Sequence, residues 1–352
     1  MPSFYDHSFE ELTALLGLWG EPRYRALQIW QGVYRDLAAD PSTISNLPRA
    51  LRERLGAELS FGGLKTRAEA RSTDGQTRKY LFQLADGREI ETVLMGYVSR
   101  RTTCISTQAG CAMGCVFCAT GQMGFRRHLT AGEIVEQVMW FARELKAQDD
   151  HLTNIVVMGM GEPFHNYDAT MAAIDRLNDP TGFNFGARRI TISTVGLAPM
   201  IERFAAEKRQ VNLAVSLHAA TDDLRAELLP INRKYPLAAL FVAVRHYFEL
   251  TRRRVTFEWA LIEGKNDTPE QAHALAALVR GLPCHVNVIP LTPTRDYAGR
   301  ATTRERAAAF KAVLEGHSVP CTIRVRRGID INAGCGQLAV EDGARRAAPV
   351  GA

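Results

Sequence analysis

The chain has 352 residues, which is enough for one large domain and a smaller one, and its 46% hydrophobic residues can form a sizeable core. Its net charge of +5, from 43 Lys and Arg against 38 Asp and Glu, is too small to indicate a nucleic-acid partner by itself. No apolar run approaches the ~18 residues of a membrane span, and no signal-peptide pattern opens the chain, so the sequence predicts a cytoplasmic protein without a membrane partner.

The first part of the chain has the pattern of short helices. Ser8 is placed to cap a first helix, and a second helical run begins at Pro22. The helical pattern then continues after Pro41 through Ile44, Leu47 and Leu51. We therefore predict a small N-terminal helical accessory domain over residues 1–60.

A strand-like period follows this helical part. The runs 80–84 and 90–94 flank the turn dipeptide Asp86-Gly87 and predict a β-hairpin. This hairpin lies in a predicted linker over residues 61–98. Glu91 interrupts the second apolar run, and it either faces solvent on a two-sided hairpin or has a function.

Strand-like and helical runs then alternate along the chain. The predicted strands are 103–107, 155–158, 189–194, 212–217, 255–261 and 285–291. The predicted helices are 131–147, 168–178, 197–206, 236–249 and 269–280. Such alternation predicts an α/β fold with a parallel sheet, and right-handed crossovers curl it into a partial (β/α)6 barrel. We assign residues 99–342 to this core domain and 343–352 to a flexible tail.

Three cysteines in one loop after the first predicted strand form the most specific motif. Cys111, Cys115 and Cys118 have the spacing C-x3-C-x2-C, and soft thiolates suit an iron–sulfur cluster, zinc or copper(I). A [4Fe–4S] cluster normally takes four protein ligands, so three leave one iron open for chemistry. Zinc sites more often show two separated C-x2-C pairs, and the sequence has no second pair. The motif favours an iron–sulfur site over a zinc-stabilised module that also uses Cys104.

Small and polar residues recur where the other predicted strands end, and the chemistry of such barrels lies at that edge. They are residues 159–163, Ser193, Ser216, Leu217, His218 and Thr292. Each has an ordinary alternative, such as a strand-terminating turn, a strand-end hydroxyl or a structural histidine. The pattern Gly159-x-Gly161 lacks the third glycine of a dinucleotide fingerprint and fits a backbone that approaches a ligand closely.

The remaining cysteines differ in their surroundings. Seven cysteines, three of them tightly clustered, do not form a disulfide framework and fit a reducing compartment. Cys284 and Cys321 precede apolar runs and are predicted to be buried. Cys104 lies in the first predicted strand and is placed to point into the barrel mouth. Cys335 lies between glycines, which predicts an accessible, reactive thiol.

The cysteine loop resembles the signature of the radical S-adenosylmethionine (SAM) enzymes, and further segments resemble one family among them, the RlmN/Cfr-type RNA adenosine methyltransferases. The matching segments are 88–93, 104–111, 159–163, 192–194, 214–219, 230–233 and 334–338. The RlmN branch is the more similar. This resemblance implies a radical-SAM barrel, and methylation of C2 of an adenosine in 23S rRNA and of an adenosine beside the tRNA anticodon. It also implies a monomer that receives electrons from a flavodoxin-type or ferredoxin-type donor.

The resemblance implies a role for each matching residue. The [4Fe–4S] cluster would be held by Cys111, Cys115 and Cys118. SAM, two molecules per turnover, would be held by Gly161, Glu162, Ser193, Ser216, Leu217 and His218, with Thr292 where the family usually has asparagine. Cys335 would carry a methyl group to the adenine and form a transient protein–RNA crosslink. Cys104 would resolve that crosslink through a disulfide with Cys335, and Glu91 would accept a proton.

Several alternatives stay open at this point. A Cfr-like enzyme would methylate C8 of the same adenosine, and another radical-SAM enzyme would act on a substrate other than RNA. The N-terminal domain either packs on the core or contacts RNA. The basic clusters, each of which is otherwise a solvated turn, are candidates for phosphate contacts. They are Arg126-Arg127-His128, Arg252-Arg253-Arg254, Arg324-Val325-Arg326-Arg327 and Arg345-Arg346.

Overall fold

The computed structural model describes residues 1–324, 329–331 and 336–339. Its α-helices are α1 (Phe9–Leu18), α2 (Tyr24–Tyr34), α3 (Arg49–Glu58), α4 (Ala119–Gln122), α5 (Ala131–Lys146), α6 (Tyr167–Asn178), α7 (Ala198–Ala206), α8 (Asp222–Leu228), α9 (Leu237–Thr251), α10 (Pro269–Leu278) and α11 (Arg304–Gly316). Its strands are β1 (Lys65–Arg71), β2 (Thr77–Gln83), β3 (Glu89–Tyr97), β4 (Arg100–Cys104), β5 (Gln108–Gly110), β6 (Phe125–His128), β7 (Asn154–Val157), β8 (Ile190–Thr194), β9 (Asn212–Ser216), β10 (Val255–Leu261), β11 (Cys284–Pro290) and β12 (Cys321–Ile323).

The N-terminal helices begin where their capping residues stand. Ser8 Oγ accepts a hydrogen bond from the backbone N–H of Glu11, and the Glu11 carboxylate accepts one from Ser8 N, so a capping box opens α1. The predicted continuation of the helical pattern is wrong for Ile44 and Leu47 and correct for Leu51, which lies in α3. Pro48 disfavours helical backbone in the residue before it, and α3 begins only after Pro48.

The N-terminal helices pack on the core. Trp30 Nε1 donates to the Asp179 carboxylate at 2.7 Å, just after α6 ends. The Asp6 carboxylate accepts from the backbone of Gly132 in α5 at 2.8 Å, and Arg176 donates to the carbonyl oxygen of Asp6. These contacts fix the helices against the outer face of α5 and α6.

Ten strands form one sheet in the order β1-β2-β3-β4-β7-β8-β9-β10-β11-β12. In this sheet β1 to β4 pair antiparallel, and β4 and β7 to β12 pair parallel. The short strands β5 and β6 form a separate antiparallel pair. The predicted strands correspond to β4 and to β7–β11, and helices cross over between them, so the predicted partial barrel and its β-hairpin are confirmed. The strands β1 and β12 and the helix α11 were not predicted. The division into domains stays a prediction, and the tail 343–352 lies outside the described residues.

The antiparallel strands bring the β2–β3 turn to the functional edge of the sheet. Val93 in β3 pairs with Cys104 at the end of β4, and β3 runs in the opposite direction. The residues of β3 before Val93, and the turn before them, therefore project beyond the carboxyl end of β4. The edge strand β1 is largely exposed and carries alternating charges.

The core lies between the sheet and its helices. The middle parallel strands are buried on both faces, since Leu213 and Ala214, which point to opposite faces of β9, both have zero exposure. The helix α5 covers the sheet with fully buried Val135, Val138 and other apolar side chains. Among the described residues no helix has the length and apolarity to cross a membrane.

Candidate active site

A cavity of about 410 Å³ opens at the carboxyl ends of the parallel strands. Its wall contains most of the residues that the sequence singled out. They are Cys104, Cys111, Cys115, Cys118, Gly161, Glu162, Ser193, Ser216, His218 and Thr292. Residues from β4, β8, β9 and the loops after β4, β7 and β11 therefore converge on one space, as a barrel with its chemistry at this edge requires.

The cysteine loop is held at the cavity by backbone hydrogen bonds. The N–H of Cys111 donates to the carbonyl of Gly124 at 3.1 Å, and the N–H of Val116 donates to the carbonyl of Leu228 at 3.1 Å. The side chain of Gln122 in α4 closes the loop by donating to the carbonyl of Val116 at 2.8 Å. All three thiols are thus presented from one anchored segment.

The thiols suit a positively charged metal group. Burial raises the pKa of Cys111 to about 12, and burial raises the pKa of Cys115 as well, so thiolates form here only with a compensating cation. Within the described ranges, no three or more His, Cys, Asp or Glu side chains are grouped to hold a single metal ion. A [4Fe–4S] cluster binds each thiolate through a different iron, so three thiols spread over one cavity wall fit it.

A buried arginine beneath the cysteine loop was missed by the sequence analysis. Arg225 has zero exposure and donates to the carbonyl of Val195 at 2.6 Å, to the carbonyl of Leu217 at 3.2 Å and to Asn232 Oδ1 at 2.7 Å. Burial lowers the pKa of Arg225 to about 10, and the Cys115 thiolate raises it. Arg225 ties together the chain after β8 and β9, and its positive charge favours thiolates. A single arginine in a short helix gives no sequence signal for this role.

The loop after β7 places a buried carboxylate in the cavity wall. Glu162 accepts from the backbone N–H of Phe164 at 3.0 Å and of Val195 at 2.8 Å. Burial raises the pKa of Glu162 to about 7, against these hydrogen bonds. Gly161 has φ +105°, and a Cβ there would lie 2.6 Å from the Cβ of Gln108, so only glycine fits this turn.

Hydroxyl and imidazole groups complete the wall next to Glu162. Ser193 Oγ and Ser216 Oγ lie 3.2 Å apart on the adjacent strands β8 and β9. His218 Nδ1 accepts from the backbone N–H of Ala260 at 2.9 Å. Burial, and to a lesser degree Arg225, lowers the pKa of His218 to about 3, so this imidazole stays neutral. These groups offer hydrogen bonds to a polar cofactor without adding charge.

Two predicted cofactor-binding residues differ in their placement. Leu217 is fully buried and does not line the cavity. Its N–H donates to the carbonyl of Glu258 at 3.0 Å, and its carbonyl accepts from Arg225. Thr292 lines the cavity in the loop after β11. Glu258 in β10 also lines it, and its Oε2 has no hydrogen-bond partner among the described residues. No role for Glu258 was predicted from the sequence.

Glu91 is buried, so the alternative that it faces solvent is wrong. Its carboxylate pairs with the Lys79 ammonium at 2.8 Å, and both side chains are at most 2% exposed. It also accepts from the backbone N–H of Gly336 at 2.7 Å and of Ala339 at 2.9 Å. Glu91 therefore anchors the C-terminal turn 336–339 to the hairpin.

The two catalytic cysteines predicted from the resemblance are placed differently. Cys104 lines the cavity, as its position at the end of β4 predicted. Cys335 lies outside the described residues. The next residue, Gly336, has φ +84°, and a Cβ there would lie 2.6 Å from the backbone N of Thr120, two residues after Cys118. Cys284 and Cys321 are buried away from this cavity, as predicted.

The basic clusters do not all face the cavity. The Arg127 guanidinium is engaged by Asp86 at 2.5 Å and by Glu133 at 2.7 Å, so its use for phosphate is not supported, whereas Arg126 is exposed. Arg252-Arg253-Arg254 precedes β10 and lies at the opposite end of the sheet. Arg324 lines the cavity. Residues 325–327 and 345–346 lie outside the described part of the chain.

Comparisons with known proteins agree with this architecture. A family model described as the Radical SAM superfamily matches residues 105–276, and one described as the ribosomal RNA large subunit methyltransferase N-terminal domain matches residues 3–60. A Myxococcus xanthus protein named dual-specificity RNA methyltransferase RlmN 1 is 51% identical over 352 residues, covering 99% of this chain and 98% of that protein. The crystal structure of a radical SAM methyltransferase from Sphaerobacter thermophilus has a TM-score of 0.93 and 51% identity, covering 96% of this chain and 99% of that one.

Proposed function

This chain belongs to the RlmN family of radical SAM RNA methyltransferases, and on that premise we propose that it methylates C2 of an adenosine in 23S rRNA and of an adenosine beside the tRNA anticodon. It is a SAM-dependent RNA methyltransferase. The observation that supports the finer proposal most is the gathering of Cys104, the three loop cysteines and Glu162 in one cavity wall. Such an enzyme acts in the cytoplasm, where its RNA substrates are made.

The residues present fit a [4Fe–4S] cluster and SAM. Cys111, Cys115 and Cys118 would hold the cluster, and the positive charge of Arg225 beneath them offsets part of their negative charge. Glu162, Ser193, Ser216, His218 and the backbone at Gly161 and Leu217 would hold SAM, with Thr292 contributing a hydroxyl. When bound, the cluster and SAM supply one-electron reduction and radical chemistry, which polar groups of the protein do not provide. Turnover uses two SAM molecules and electrons from a flavodoxin-type or ferredoxin-type protein, and the chain works as a monomer.

Two thiols outside the cluster loop would carry the methyl group. Cys335 would receive a methyl group from one SAM and lose its thiol proton. The methyl carbon would lose one hydrogen atom to the radical chemistry that the cluster and a second SAM supply, and it would then be joined to C2 of the adenine, which loses its own hydrogen as a proton while one electron returns to the cluster. The Cys104 thiolate would then attack the Cys335 sulfur and break its bond to carbon, so that the released carbon takes up a proton to give the methyl group and a disulfide remains that a cellular dithiol reduces. Cys104 is suited to this step because it lies in the same cavity wall as the cluster cysteines.

Glu91 would accept the proton that leaves C2. Its carboxylate is occupied by Lys79 and by the N–H groups of Gly336 and Ala339. Proton acceptance therefore requires that one of these partners be exchanged, and the turn that follows Cys335 supplies two of them. Glu91 would then connect proton transfer to movement of that turn.

The proposal is tested in a host that lacks its own enzyme of this family. Wild-type protein is expected to yield 2-methyladenosine in digests of 23S rRNA and tRNA, resolved from 8-methyladenosine by mass spectrometry. The Cys104→Ala variant is expected to accumulate a protein–RNA crosslink through Cys335. The matched control is Cys284→Ala, since Cys284 is a buried thiol outside the cavity, and it is expected to methylate RNA without a crosslink.

Three other results would each show which part of the proposed function is wrong. Finding 8-methyladenosine alone would replace C2 with C8 as the site of methylation. A Cys104→Ala variant that methylates RNA normally would remove Cys104 from the reaction. RNA that carries neither product with active, cluster-loaded protein would refute the proposed substrates.

A further inference from the structure

Three exposed rings meet beside the loop after β7, which lines the cavity, although the rings themselves do not line it. Phe125 and His128 lie on β6, and His165 follows Glu162 in the loop after β7. The ring centroids are 5.1 Å apart for Phe125 and His128, 5.5 Å for Phe125 and His165, and 4.9 Å for the two histidines. All three residues are exposed. The sequence analysis noted His128 only as part of a basic cluster and did not single out the other two.

A buried amide holds both imidazoles in one protonation state. The side-chain nitrogen of Gln108 lies 3.1 Å from His128 Nδ1 and 3.0 Å from His165 Nδ1. The side-chain oxygen of Gln108 accepts from the backbone N–H of Glu162 at 2.8 Å, which assigns the orientation of the amide. Its NH2 group then donates to both Nδ1 atoms, so each ring is neutral and carries its proton on Nε2. Burial and His165 also lower the pKa of His128.

The rings are coupled to the cofactor side of the cavity through the same amide. Gln108 is fully buried and contacts the turn at Gly161, so its position is fixed from both sides. The loop that carries His165 also carries Glu162, and β6 pairs with β5 directly before Cys111. A base that stacks on the rings is therefore held at a fixed position relative to the cavity.

An exposed arginine lies next to the rings. Arg126 lies between Phe125 and His128 in the chain and is exposed, and no described carboxylate forms an ion pair with it. The neighbouring Arg127 is engaged by Asp86 and Glu133. Unpaired bases bind to proteins by stacking on aromatic side chains beside cations that contact the phosphates.

We propose that Phe125, His128 and His165 form a stacking platform for an unpaired nucleobase that flanks the target adenosine, with Arg126 on the adjacent phosphate. This inference rests on the proposed function, because it takes the RNA as the molecule that reaches the rings. A neutral ring pair binds the face of a base without selecting for one base, so the platform fits two RNA substrates of different sequence. The outward Nε2–H groups add donors for base or ribose oxygens.

The test measures binding and methylation of an RNA hairpin that contains the target adenosine in an unpaired loop. The triple variant Phe125→Ala/His128→Ala/His165→Ala and the milder Phe125→Leu are compared with the full-length wild-type protein. Since stacking of one base changes affinity by about 5- to 100-fold, we expect the Kd of the triple variant to rise at least about 5-fold. A second hairpin with an abasic nucleotide beside the adenosine is expected to weaken wild-type binding by a similar factor and to leave the triple variant unaffected.

Matched controls separate the platform from general damage. His273 and His317 form another exposed histidine pair, with nitrogens 2.8 Å apart, on the outer helices, and the variant His273→Ala/His317→Ala is expected to bind RNA normally. Because the rings are neutral, their removal is expected to leave the salt dependence of binding unchanged. Arg126→Ala is expected to reduce the slope of log Kd against log salt by about 1, and Arg254→Ala, at the opposite end of the sheet, is not.

The results separate a failure of the stacking platform from a failure of the proposed function. If the wild type methylates RNA and the triple variant has the same Kd, or if the abasic nucleotide weakens both proteins equally, the platform is refuted and the proposed function stands. If the triple variant changes the sedimentation of the free protein but not its RNA affinity, the rings bind a second copy of the chain instead. If the wild type neither binds nor methylates RNA, the proposed function fails and the platform fails with it.

Discussion

Replacing Lys79 with methionine is expected to destabilise the protein strongly, because it leaves the Glu91 carboxylate buried without its cation. Both side chains are at most 2% exposed and lie 2.8 Å apart. Removal of one partner of such a pair costs about 3–5 kcal/mol. An unfolding entropy of about 2.1 cal/mol/K per residue over 352 residues gives about 0.7 kcal/mol/K, so Tm is expected to fall by about 4–7 °C.

The loss is measured by thermal and urea unfolding of the cofactor-free chain. Lys265→Met is the matched control, because Lys265 pairs with Glu227 on the surface, and such pairs contribute less than about 1 kcal/mol. The double variant Lys79→Met/Glu91→Met is expected to be more stable than Lys79→Met, since it removes both charges. Hydrogen exchange of Ala339 is expected to accelerate in the double variant, because the N–H of Ala339 donates to Glu91. A Tm of Lys79→Met within 1 °C of the wild type would refute the reasoning.

Two further predictions concern pH, and one concerns the metal site. The pKa of Glu162 is about 7 in the folded chain and near 4.5 in the unfolded chain, so the folded chain holds the extra proton and wild-type stability falls as pH rises from 4.5 to 7. Glu162→Gln does not titrate, so its free energy of unfolding in urea is expected to gain up to about 3 kcal/mol relative to wild type between pH 4 and pH 8. The same variant is expected to bind SAM more weakly. The pKa of His218 is about 3 in the folded chain and near 6.5 in the unfolded chain, so the neutral imidazole contributes stability that is lost as pH falls from 6.5 towards 3. His218→Asn is expected to reduce the fall in the free energy of unfolding below pH 6.5, and an unchanged fall would contradict this. Arg225→Met is expected to lower iron content at least twofold after anaerobic reconstitution, and Arg245→Met, which removes an arginine from the outer helix α9, is expected to leave it unchanged.

Most of the fold was predictable because the buried strands are short apolar runs between amphipathic helices. The strand β1 escaped prediction because its residues are charged and exposed, so it has neither the alternation nor the apolar content of a half-buried strand. The strand β12 has three residues, which is too short for a period to be recognised. The apolar residues before α3 are spaced as in a helix, but Pro48 disfavours helical backbone in the residue before it, so α3 begins only after Pro48.

The candidate site was predictable only where residues are close in sequence or match a motif. Spacing alone identified Cys111, Cys115 and Cys118. Gln108 and Arg225 act through groups that only the folded chain brings near, and their types are common on surfaces. The sequence left open whether Glu91 faces solvent, because the segment that covers it lies 245 residues later in the chain.

The charges on the edge strand β1 affect how the sheet can contact other molecules. A sheet that ends in β1 offers an unpaired row of backbone N–H and C=O groups, onto which a strand of another molecule can add. Lys65, Arg67, Glu69 and Arg71 carry charge along this row, and a strand that added there would have to accommodate them. These charges therefore oppose the addition of a foreign strand, so the sheet can end in β1 and leave the barrel unclosed without a covering element on that side.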